Sequence, residues 1–148
     1  MSTPASKELI DRLAENMGNI IQDCFPILEE CIATLTTINQ KIFSEESGRS
    51  NYNDYKNILE LHASVLYVII EVSSIFRADF HSDITIERKI NLKYIVFITS
   101  EFFKATFDSK NKSLCDKVFT YLSSLNIDAI NNGIANINEN IFHYKKSY

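Results

Sequence analysis

Residues 76–107 read FRADFHSDITIERKINLKYIVFITSEFFKATF, a stretch that joins a dense run of ionisable groups to the longest apolar run of the chain. At about 100° per residue, Lys89, Lys93, Ser100 and Lys104 fall in one narrow arc and nearly everything outside it is apolar. That arc is the expected solvent face. Glu87, Asn91 and Tyr94 stack on a side otherwise made of Ile90, Ile98, Phe102 and Ala105, so the spacing predicts three polar groups pointing inward. A carboxylate turned inward must be paired, hydrogen-bonded or protonated. Arg77, in register with Leu59, Leu66 and Ile70 of the preceding segment, is the nearest partner for Glu87. The expectation is a structural polar cluster of Arg77, Glu87, Asn91 and Tyr94. The competing expectation is a site, in which Arg77, Asp79, His81, Asp83 and Glu87 crowd one helix junction.

Upstream of this stretch, residues 54–76 are amphipathic, with Ile58, Leu61, Val65, Val68 and Val72 at the centre of the expected buried side and His62 and Ser73 on it. A histidine there is expected to be a core residue bonded to a carbonyl. Residues 44–53 contain little that can be buried and read as a loop. Before them, apolar residues recur in two seven-residue series. Ile10, Met17, Cys24, Cys31 and Ile38 form one, and Ala14, Ile21, Leu28, Leu35 and Ile42 the other. Both pass through Pro26 in phase, which predicts one long helix kinked near Gln22, with a break at Asp23 or Phe25 as the alternative. Thr3 followed by Pro4 predicts the helix start.

Downstream, Ser82 or Asp83 is the expected N-cap of the helix that follows. Residues 108–113 read as a polar turn, and Ser113 with Asp116 resembles a capping box. Leu114, Val118, Tyr121, Leu122 and Leu125 share one face. Ile127, Ile130, Ile134, Ile137, Ile141 and Tyr144 share another, roughly opposite, so a break is expected at residues 126–128 with Asp128 capping a last helix. Its outer side carries Asn131, Asn132, Asn136, Asn138 and Asn140, poor helix formers, so this helix depends on docking its isoleucine seam.

The 148 residues predict one domain, 1–148, and three glycines with two prolines are too few for a fold built on many tight turns. The fold expected is all-α, a bundle of about five helices, mostly antiparallel and packed on residues 84–107. A net charge of −4 argues against a broad nucleic-acid footprint. Cys24, Cys31 and Cys115 offer neither a disulfide framework nor a zinc pattern; Cys24 and Cys31, two helical turns apart, stand about 10 Å from each other. The first residues have no signal-peptide pattern, and no apolar run approaches the roughly 18 residues of a membrane span. A cytoplasmic protein without membrane attachment is expected.

No phosphate-binding loop, nucleophile elbow or dinucleotide fingerprint occurs, and Glu139 with His143 lacks the second pair that a di-metal bundle requires. No cofactor and no metal are expected. An all-α bundle with an Arg and a His bracketing a helix junction and an acidic residue between them resembles the HEPN superfamily. Its members are small helical bundles that often dimerise, and many are metal-independent endoribonucleases of toxin or phage-defence systems. Their signature is Arg, four to six residues, then His; here three residues separate Arg77 from His81, and Ala78 follows the arginine. The resemblance implies catalytic roles for Arg77 and His81 and an RNA substrate. The function expected from the residues themselves is an interaction module that self-associates as a homodimer or binds another protein. The HEPN-like ribonuclease is the alternative, and a small-ligand-binding bundle the second.

Overall fold

The computed structural model describes residues 4–44, 49–82, 84–107 and 113–146. They form five helices and no strand: α1 (Pro4–Ser44), α2 (Arg49–Phe80), α3 (Thr85–Phe107), α4 (Leu114–Ser124) and α5 (Asp128–Lys146). The all-α bundle expected from the sequence is the fold observed. Thr3 lies outside the described residues, while Pro4 is the first residue of α1, a position where its missing N–H costs no hydrogen bond.

The two longest helices make the most extensive contact, and three residue pairs give its register. Arg77 meets Gly18, Cys31 meets His62, and Lys41 lies over the Tyr52 ring. In each pair the two numbers sum to nearly the same value, which defines an antiparallel hairpin. Both seven-residue series of α1 face α2, with Ala14, Leu28 and Cys31 buried and the others half-buried. Since the register survives Pro26, α1 is continuous there and the alternative break does not occur. Burying a side chain such as Leu28 or Leu66 contributes about 1.5–3 kcal/mol. The centre of this contact is the cluster Leu28, Cys31 and Leu66, with Leu59, Ala63 and Ile70 packed against it.

Three expectations about α2 are corrected. Its most buried positions are Leu66 and Ser73, supported by Leu59 and Ile70, whereas Val65 is 36% exposed; the face is turned relative to the one centred on Val65. It begins at Arg49, inside the expected loop, because Tyr52 already packs beneath Lys41 of α1. Finally, Tyr52–Phe80 contains an 18-residue window of mean hydropathy 1.7, long and apolar enough by composition to cross a membrane. Glu60, His62 and Glu71 interrupt that window, so it contains no long uninterrupted apolar run.

α2, not α3, is the hub: among the described residues it touches α1, α3 and α4, while α3 touches only α2 and α4. The expectation that the bundle packs on residues 84–107 is therefore corrected. With 41 and 32 residues, α1 and α2 cover each other along their lengths and leave α3 the flank of α2. α4 starts at the expected capping box. The Ser113 Oγ accepts from Asp116 N, and Ser113 N donates to the Asp116 carboxylate, each at 3.1 Å. The break before α5 also stands where expected, with Asn126 at φ 55°, the left-handed conformation that ends helices. The first backbone acceptor of α5 is the Ile127 carbonyl, 3.0 Å from Ile130 N and Asn131 N, so Asp128 is a first-turn residue and not the cap.

Candidate functional site

The junction between α2 and α3 is built around Ser82. Its N–H donates to Asp79 O at 3.1 Å, closing the last turn of α2 next to the bond from His81 N to Ala78 O. Its hydroxyl donates to Glu87 Oε2 at 2.6 Å and accepts from Ile84 N, and its carbonyl accepts from Arg88 Nε at 2.9 Å. Glu87 thereby sits at the N-terminus of α3, where the helix dipole favours a carboxylate. Asp79 accepts from Asn91 Nδ2 at 3.3 Å, tying the end of α2 to the second turn of α3.

The polar cluster expected at this junction does not form. Glu87 is exposed and bonded to Ser82, Tyr94 is 59% exposed, and only Asn91 is partly buried. Arg77 points to the other side of α2, its guanidinium lying against Gly18 of α1, and it forms no ion pair with Glu87. The wheel placed Glu87 correctly beside Asn91. Inward holds only for Asn91, which meets Asp79 of α2, while Glu87 and Tyr94 on either side of it stay exposed. His81 is exposed on the closing turn, and Asp83 lies outside the described residues. Ser82 was expected only as an N-cap; its bond to Glu87 and the role of Arg88 were missed, and their signal was a serine five residues before a first-turn glutamate.

His62, expected to bond a carbonyl, instead places Nδ1 3.6 Å from the Sγ of buried Cys31. Burial and the neighbouring Glu30 raise the Cys31 thiol above its ordinary range, and burial with Asp116 pushes the Cys115 thiol up to about 12. A raised thiol is the opposite of an activated nucleophile, so neither cysteine is set up for covalent chemistry. Among the described residues, no group of three His, Cys, Asp or Glu side chains is placed to hold a metal ion.

The most distinctive surface is apolar. On α3, Ile86, Ile90, Leu92, Val96 and Phe97 are all at least half exposed. An open groove of about 570 Å³ runs between α1, α2 and α3, lined by Leu28, Ile32, Ala63, Tyr67, Phe97 and Phe102 among others. Two carboxylates, Glu71 and Glu101, also line it. Glu71 accepts from the Tyr67 hydroxyl at 2.8 Å, a bond that with the Glu71 charge raises the phenol above its ordinary value. Glu101 takes Lys104 Nζ at 3.0 Å. Among the described residues α5 contacts α4 alone; Ile127, Ile137 and Phe142 are exposed, and Ile130, Ile134 and Ile141 are half-buried.

In comparisons with protein-family models, curated proteins and solved structures, nothing matches the chain.

Proposed function

We propose that the protein is a self-associating helical interaction module. The observation that carries this reading is the uncovered apolar surface of α3. A helix that is apolar on most of its circumference belongs in an interior, yet here Val96 and Phe97 are 64% and 62% exposed. The accessible surface of 10758 Å² supports the same reading, since a folded monomer of 17.0 kDa is expected to expose about 7,700 Å². Two chains that each buried this excess of about 3,000 Å² would bury about 6,000 Å² in total, the scale of a large obligate interface rather than a transient contact. Free thiols at Cys24, Cys31 and Cys115 support a reducing, cytoplasmic setting. Size-exclusion chromatography with light scattering tests the reading: a mass of twice 17.0 kDa or more is expected.

One observation favours a second reading, the HEPN-like endoribonuclease. Among the described residues Arg77 forms no ion pair with a carboxylate, which leaves its charge available to a phosphate. His81 would then act as general base or acid on a ribose 2′-OH. Incubation of the protein with single-stranded RNA tests this: cleavage lost in both Arg77→Ala and His81→Ala is required, and intact RNA rejects it. A small-ligand role is less favoured, because the groove is open along its length where a ligand site is expected to enclose its occupant.

A further inference from the structure

We infer that the groove between α1, α2 and α3 receives helix α5 of a second copy of this chain, an inference that rests on the self-association reading. Three observations point to this occupant. The first is dimension. On α2 the groove runs from Ala63 to Glu71 and on α3 from Phe97 to Ala105, about 12 Å at 1.5 Å per residue. Ile130, Ile134 and Ile137 on α5 span seven residues, about 10 Å, so two turns of its seam fill the groove.

The second is charge. Residues 129–138 of α5 contain no ionisable side chain, so they enter an apolar groove without stranding a charge. The groove presents carboxylates at Glu71 and Glu101, and the asparagines flanking the seam supply N–H donors to them. The chain carries a net charge of −4, so two copies repel at long range, and an uncharged helix is the segment best suited to bring them together. The third is exclusion. Among the described residues α5 touches only α4 and makes no contact with the groove of its own chain, and a Cβ at Gly133 would meet nothing within 4 Å. The groove and Ile137 are therefore open in the single chain among the described residues, while Ile130 and Ile134 are part-buried. Reciprocal exchange covers both in one symmetric dimer.

The test is a complementation experiment on the full chain. Phe97→Asp damages the groove and Ile137→Asp damages the seam; both residues are exposed, so both variants are expected to keep the helical circular dichroism of the wild type. Should either lose helicity, Phe97→Ser and Ile137→Ser replace them. Each variant alone is expected to dissociate, with its dimer constant weakened at least about thirtyfold, the factor of a hot-spot residue. Mixed, they are expected to form a heterodimer, because the intact α5 of one chain meets the intact groove of the other. A wild type that dimerises with both variants unimpaired, or variants that weaken but fail to complement, overturns this seating and leaves self-association standing. A monomeric wild type overturns both. A monomer that floats with phosphatidylcholine vesicles does so too, and assigns the apolar surface to a membrane.

Discussion

Arg77 lies against Gly18: its Cζ and Nη1 stand 3.5 Å from the point a Cβ on residue 18 would occupy, an ordinary van der Waals separation. A methyl group therefore fits beneath the guanidinium. Alanine also restores the helix propensity that a mid-helix glycine forfeits, about 1 kcal/mol. Gly18→Ala is expected to raise the chemical-denaturation midpoint by the equivalent of about 0.5–1 kcal/mol.

The same contact sets the expectation for Arg77→Ala. No buried carboxylate is orphaned when this side chain is removed, since Glu87 is exposed and bonded to Ser82. The loss is limited to the apolar stem of the arginine and is expected to stay within about 1 kcal/mol, against ~3–5 kcal/mol for a broken buried pair. Urea titration distinguishes the two values.

Ser113 offers a stronger local effect. It is itself buried and holds both halves of the capping box that begins α4, the helix carrying the buried Cys115 and Val118. Ser113→Ala is expected to cost about 1–2 kcal/mol, and Ser113→Thr to recover part of it by keeping an acceptor for Asp116 N without a second carboxylate beside Asp116. Thermal unfolding of the two variants reads the difference.

Cys115 makes stability fall at high pH. Its thiol is neutral when protonated, and the fold raises it from 9.0 to about 12. The native chain keeps a proton that the unfolded chain releases, so this contribution is complete below pH 9 and is lost as pH climbs from about 9 towards 12. One proton sets a limit of about 1.4 kcal/mol per pH unit. Cys115→Ala is expected to show a shallower decline than the wild type over that interval, lysine and tyrosine titration being common to both proteins. Equal slopes would leave the thiol out of the balance.

Much of the fold was legible because local rules decided it. The two series from Ile10 to Ile38 and from Ala14 to Ile42 are buried or half-buried throughout, and the Ser113 and Asn126 boundaries follow from hydrogen-bonding and turn chemistry within a few positions. What one helix cannot encode is which neighbour covers which side. The wheel of α3 separated its lysine arc correctly, but it assumed that an apolar side is a buried one, and so turned Glu87 and Tyr94 inward. The side of α2 that meets α1 was likewise ambiguous, because Val65 and Leu66 are both apolar and only the partner chooses between them. The groove was illegible for the same reason: its walls come from three helices, and no spacing within one of them announces it.

Sedimentation equilibrium of the wild-type chain, from nanomolar to high micromolar concentration, tests the central claim most directly. The exposed apolar side of α3 and the incompletely covered seam of α5 predict a dimer or higher species that persists into the low micromolar range. A single species of 17.0 kDa across the whole range would contradict self-association.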